Sequence, residues 1–172
     1  MSKSLILRFD KKRSDNMLEK TKKIVEKNMI IEIVKVKQVI LERPVEYQLH
    51  ISSTEVAAQI GIAEIGDEAQ EVLLLLILNS QNEINAIHRV FQGSLKSSIA
   101  HPSEIFRSAL LNNGAKILIY HNHPSGNVEP SEEDRIFTDR IAKVGDLLGV
   151  ELLDHIIVSD SSWYSFKEFC LL

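Results

Sequence analysis

Cysteine is almost absent from this chain: of 172 residues, only Cys170 is one. An internal disulfide framework and a Cys-based zinc ribbon are therefore excluded, and any metal has to be held by His, Asp or Glu. Glycine and proline are sparse too, at 7 and 4 residues, which excludes collagen-like and low-complexity chains. Long apolar runs are missing: the longest, Val72 to Leu78, has seven residues, where a membrane-spanning helix needs about 20. The apolar start Leu5-Ile6-Leu7 is cut short by Arg8, Asp10 and Lys11-Lys12-Arg13, so no secretory leader is expected and a cytoplasmic location is. No Gly-x-Gly-x-x-Gly or Gly-rich Lys-Ser/Thr loop occurs, which argues against Rossmann and P-loop nucleotide binding.

What remains is ordinary globular material, 44% hydrophobic and 26% charged, enough for one domain with a real core and a small appendage. The net charge of −4 hides an asymmetry. Residues 1–50 carry 12 Lys and Arg against 7 Asp and Glu, and residues 51–172 carry 8 against 17. The basic segment suits a weak nucleic-acid contact, although its interspersed acids match a solvated helix face better than a dedicated DNA-binding surface.

Periodicity supplies the elements. Leu5 to Phe9 predicts a short strand, the amphipathic stretch around Leu18, Ile24, Val25 and Met29 a helix, and β-branched residues 30–41 a second strand. Together they predict a strand-helix-strand extension over residues 1–49. Ser53 or Thr54 can cap a helix through Ile60, with Gly61 and Gly66 weakening its far end. Val72 to Leu78 and Ile84 to Phe91, joined by Asn79 to Glu83, predict a buried antiparallel pair. A helix is expected from Pro102 to a stop at Asn112-Asn113-Gly114, then a strand from Ala115 into His121. A second apolar stripe from Ser131 to Gly149 predicts another helix, and Val150 to Val158 and Trp163 to Phe166 complete the sheet. Such an alternation predicts an α/β sandwich with a mixed sheet.

The chemistry is concentrated in His121-Asn122-His123-Pro124-Ser125-Gly126, which leads to Pro130-Ser131-Glu132-Glu133-Asp134. Side chains two apart on an extended segment share a face, so the two imidazoles can aim at one spot. The Pro/Gly loop brings the next helix back with Asp134 in its first turn. Two His, one carboxylate and an open position match catalytic zinc, and facial-triad iron uses the same ligand types. Zinc suits hydrolysis better. Ser131 to Asp134 also reads as a plain capping box at a helix start.

The segment resembles the JAMM (MPN-plus) metalloprotease motif, an upstream Glu followed by His-x-His-x10-Asp, with Ser131 standing where that family has its serine. His-Asn-His-Pro-Ser-Gly, Leu153-Asp154-His155-Ile156-Ile157 and Tyr164-Ser165-Phe166 are similar to its bacterial RadC branch, over roughly residues 50–169. The resemblance implies a three-layer, cytidine-deaminase-like MPN sandwich over residues 50–172. It also implies a zinc ion on His121, His123 and Asp134, with Glu71 as general base and Ser131 as donor to the oxyanion. Glu68 and Glu64 are less well placed for the base. The implied activity is hydrolysis of an amide or isopeptide bond in a peptide or protein substrate. The other activity it implies is a DNA-associated role with a nucleolytic or structural metal. Residues 1–50 show no helix-hairpin-helix pattern, which weakens that second inheritance. Asn122 is expected to turn away from the metal, His155 to be a hydrogen-bonded structural residue, and Asp154 to orient a neighbour. The separated letters of an HNH nuclease motif do not match three adjacent residues.

Overall fold

The computed structural model describes residues 33, 38–93 and 101–172. The chain divides into Met1–Pro44 and Val45–Leu172. The expected strand at Leu5 to Phe9, the helix that follows it and the Lys11-Lys12-Arg13 cluster lie outside the described residues. Of the strand expected over residues 30–41, Ile33 and residues 38–41 are described, and they are not strand. Val39, Ile40 and Leu41 are all exposed, so their alternation serves no buried face, and β-branched residues without a packed face have little reason to extend into a sheet.

The second unit is a sandwich. Its described residues form α1 (Thr54–Ile65), β1 (Glu71–Leu78), β2 (Ile84–Gly93), α2 (Pro102–Leu111), β3 (Lys116–Asn122), α3 (Glu132–Leu148), β4 (Glu151–Val158) and β5 (Trp163–Ser165). The sheet order is β2-β1-β3-β4-β5. β1 is antiparallel to both β2 and β3, β3 is parallel to β4, and β4 is antiparallel to β5. The parallel pair needs a crossover, and α3 is that crossover. The mixed sheet and three layers agree with the expected architecture.

From Val72 to Leu78 β1 is apolar because both of its faces are covered. Val72, Leu74, Leu76 and Leu78 join Leu118, Tyr120, Ile156 and Val158 under α1, against Ala57, Ala58, Ile60 and Ile65. Leu73, Leu75 and Ile77 join Ile117 and Ile119 on the opposite face, against Ile105, Phe106 and Ala109 of α2 and Phe137 and Ile141 of α3. Any side chain continuing the odd-numbered series on β1 or β3 therefore points toward α2 and α3. Among the described residues, no helix is long and apolar enough to cross a membrane.

Gly61 corrects one expectation. The helix runs through it to Ile65, with Ser53 as N-cap and Gly66 as C-cap. A Cβ at Gly61 would enter the Tyr120 ring, 2.8 Å from its Cε1. This glycine lets α1 approach the sheet, at a cost in helix propensity of about 1 kcal/mol against alanine.

Candidate metal centre

β3 positions the first imidazole. His121 continues the odd-numbered face of Ile117 and Ile119 and is buried. The backbone N–H of His123 extends the parallel ladder by donating to Val158 O at 3.0 Å. Pro124 then ends the strand, and Gly126 turns the chain at φ 81°, a conformation that favours glycine. The loop returns at Ser131, the N-cap of α3, in a complete capping box. Asp134 Oδ2 accepts from the Ser131 N–H at 2.8 Å and from the Ser131 hydroxyl at 2.6 Å. Capping leaves Oδ1 to face His121. Capping by one oxygen therefore leaves the other free to serve as a metal ligand.

The three side chains converge. His121 Nε2 lies 2.9 Å from His123 Nε2 and 3.3 Å from Asp134 Oδ1, and His123 Nε2 lies 3.8 Å from Asp134 Oδ2. All the donor atoms fall within 4.8 Å of one another. A tetrahedral ion with bonds of about 2.0–2.1 Å separates its ligands by about 3.3 Å, so the spacing fits.

Hydrogen-bond partners fix where the protons sit. Asn127 O can only accept, so the 2.6 Å contact to His123 Nδ1 places a proton on that nitrogen. Asp134 O can likewise only accept, and it takes the Thr138 hydroxyl proton at 2.6 Å. The 2.6 Å contact between Thr138 Oγ1 and His155 Nδ1 is then donated by the imidazole. In neutral His155 this leaves Nε2 bare to accept from His121 Nδ1 at 2.9 Å. With its Nδ1 proton turned to His155, His121 directs Nε2 at His123 Nε2 and at the Asp134 carboxylate, and His123, whose Nδ1 faces Asn127 O, directs its own Nε2 at the same spot.

Burial keeps the two inner rings uncharged. It lowers the His121 pKa to about 4, against an opposing pull from Asp134 and with a smaller push from His123. It also holds His155 well below the ordinary range, reinforced by His121 and His123. A histidine whose folded pKa is depressed stabilises the fold above its unfolded pKa of about 6.5, and that contribution is lost as pH falls toward the folded value. The metal-free protein should therefore lose stability from about pH 6.5 downward, by up to about 1.4 kcal/mol per pH unit per histidine. Asp154, whose pKa is raised by burial, offsets part of this at the acid end. Thermal melts in chelator across pH 7 to about 4.5 check the direction, and a flat profile would contradict it.

Glu71 opens β1. Leu73 pairs with His121 at the end of the antiparallel register, and Glu71 lies two residues beyond it, on the odd-numbered face of β1 that His121 shares on β3. Glu71 and His123 line one cleft of about 590 Å³ with Ala69, Gln70, Gly93, Pro124 and Ser125. The other two carboxylates have different work: Glu64 accepts from the Tyr47 hydroxyl at 2.8 Å, and Glu68 pairs with Arg89. The Ser131 hydroxyl is beside the ligands but is directed at Asp134.

Sequence reasoning missed the work of Asn122. Its side chain does turn from the His121–His123–Asp134 cluster, toward the main chain of residues 68–72, and it is fully buried. Its Oδ1 accepts from Val72 N at 2.7 Å, and its Nδ2 donates to Glu68 O at 3.0 Å and Gln70 O at 3.1 Å. One amide thus holds the main chain on both sides of Glu71. A signal existed, since an amide in a buried strand must find partners. His155 is a hydrogen-bonded residue as expected, stacked on Phe166 with ring centroids 4.8 Å apart. Asp154 accepts from the His155 and Lys167 backbone and from Ser165, tying β4 to the β5 turn. His88 meets Ser108 and His101 caps α2, both away from the cluster.

Residues 51–171 match the RadC-like JAB domain family. A "UPF0758 protein" of Enterococcus faecalis is 45% identical over 118 residues, 69% of this chain and 51% of its own length. A second, from Clostridium botulinum, is 52% identical over 99 residues, 58% of this chain and 43% of its own. A third, from Clostridium beijerinckii, is 40% identical over 126 residues, 73% and 55% respectively. The chain spans about half the length of these curated relatives.

Proposed function

Because the chain belongs to the RadC-like JAB domain family, we propose that it is a metal-dependent hydrolase, with zinc on His121, His123 and Asp134, cleaving an amide or isopeptide bond of a peptide or protein. The observation that carries this reading is the meeting of two imidazole nitrogens and a carboxylate beside a cleft that His123 and Glu71 both line. When bound, a divalent ion would supply Lewis acidity, lowering the pKa of water and polarising a carbonyl.

The chain's own groups do the rest. Glu71, held between the main-chain anchors of Asn122, accepts the proton of the attacking water and returns it to the leaving amine, as a general base and then a general acid. His123 keeps Nε2 available because Asn127 O holds its other nitrogen. Ser131 reaches an oxyanion by turning its hydroxyl from Asp134, leaving that carboxylate the Ser131 N–H.

The test is metal analysis of the purified protein, followed by incubation with a mixed peptide and isopeptide library with and without chelator. The expected result is about one equivalent of zinc and amide cleavage that chelator abolishes and zinc restores. A metal-loaded protein that cleaves no amide, or that cleaves DNA instead, overturns the reading.

A further inference from the structure

His121 and Asp134 are joined twice. One connection is direct, Nε2 to Oδ1 at 3.3 Å. The other leaves from the far side of the ring: His121 Nδ1 to His155 Nε2 at 2.9 Å, His155 Nδ1 to Thr138 Oγ1 at 2.6 Å, and Thr138 Oγ1 to the Asp134 carbonyl at 2.6 Å. The links cross from β3 to β4 to α3, and every member but Asp134 is at most 1% exposed. Each donor meets one acceptor, with the direction set from the carbonyl end, where only acceptance is possible.

We infer that His155 and Thr138 are positioning residues that act together on the metal ligands, fixing the tautomer and plane of His121 and holding the first turn of α3 at the distance Asp134 needs. This rests on the metal reading above. The imidazole of His155 is itself immobilised, stacked on Phe166 at an interplanar angle of 13° and met edge-on by Phe137 at 5.9 Å. Thr138 returns its hydroxyl to the carbonyl four residues back, so the threonine belongs to the same helical turn as the ligand. A ligating histidine gains basicity and orientation when its second nitrogen donates to a fixed acceptor. Here that acceptor is another imidazole, which can accept only because Thr138 takes the proton on its opposite nitrogen.

The experiment measures Zn²⁺ affinity by chelator competition, and the absorption spectrum of the Co²⁺-loaded protein, for wild type, Thr138→Val, His155→Phe, His155→Gln and the double variant Thr138→Val/His155→Phe. Apo thermal melts run alongside. Thr138→Val keeps shape and removes only the hydroxyl, and it should weaken metal binding about 10-fold. His155→Phe keeps the aromatic stack and should weaken it about 10- to 100-fold. His155→Gln, whose amide can accept from His121 and donate to Thr138, should recover affinity to within a few-fold while losing the stack. The double variant should bind about as weakly as His155→Phe alone, because the two residues form one chain.

Variants that lower the apo melting temperature yet bind metal as wild type does, with unchanged Co²⁺ spectra, would overturn the inference and leave the metal site standing. A glutamine variant as weak as the phenylalanine variant would also overturn it. Wild-type protein that takes up neither ion would overturn the metal reading, and the inference with it.

Discussion

Alanine at His123 should reduce bound zinc from about one equivalent to near zero. Structural zinc in small domains contributes about 10–16 kcal/mol, so each of a few protein ligands carries roughly 3 kcal/mol or more, a loss above about 100-fold in affinity. The three ligands should differ in what else they cost. His121 is buried at 1% exposure, and truncating it opens a cavity and leaves His155 without its donor, so that variant loses stability as well as metal. His123 stands at the cleft and can be removed with the core intact. Asp134→Asn keeps the size of the side chain and an oxygen for the N-terminal cap while removing the charge, separating the two duties of that residue. Metal content by mass spectrometry and apo melting temperature, measured on all three, check the order. Full zinc occupancy in His123→Ala would exclude these residues as the site.

Glutamine at Glu71 should give the opposite dissociation: metal retained, hydrolysis lost. The substitution preserves shape and removes the basic oxygen, and a positioned acid–base group contributes about 10²- to 10⁴-fold. The loss should fall on turnover, with metal affinity and melting temperature near those of wild type, since Glu71 sits at the mouth of β1 and outside the described ligand cluster. Cleavage of the same peptides at the wild-type rate would remove Glu71 from the reaction, and loss of zinc in this variant would make it a ligand.

Much of the sandwich was legible because its signals are local. A seven-residue apolar run bounded by polar turns is too short for an ordinary helix and suits a strand covered on both sides, and the stripe from Ser131 to Gly149 carries its cap and its stop in the same stretch. The His121–His123–Asp134 group that could hold a metal was legible for the same reason: two of its members are two residues apart, and the third follows one loop later. Choosing Glu71 over Glu68 and Glu64 rests on the family resemblance, and the structure adds that Glu71 and His123 line one cleft. What sequence could not display is contact across distance. Gly61 looked like a weak point of a helix until the Tyr120 ring, 59 residues on, was seen to occupy its side-chain space. Asn122 looked idle because its partners are main-chain atoms some 50 residues upstream. His155 and Thr138 belong to different elements, and no spacing rule pairs them. The stretch 38–41 misled in the other direction, since composition favoured a strand that exposed side chains do not support.

The Asn122 anchor has a consequence for how such a domain can diversify. It grips only peptide groups, the carbonyls of Glu68 and Gln70 and the N–H of Val72, and makes no demand on the side chains those residues carry. Ala69 and Gln70 also form part of the cleft wall. That wall can therefore be repainted, residue by residue, while the neighbouring carboxylate stays where it was.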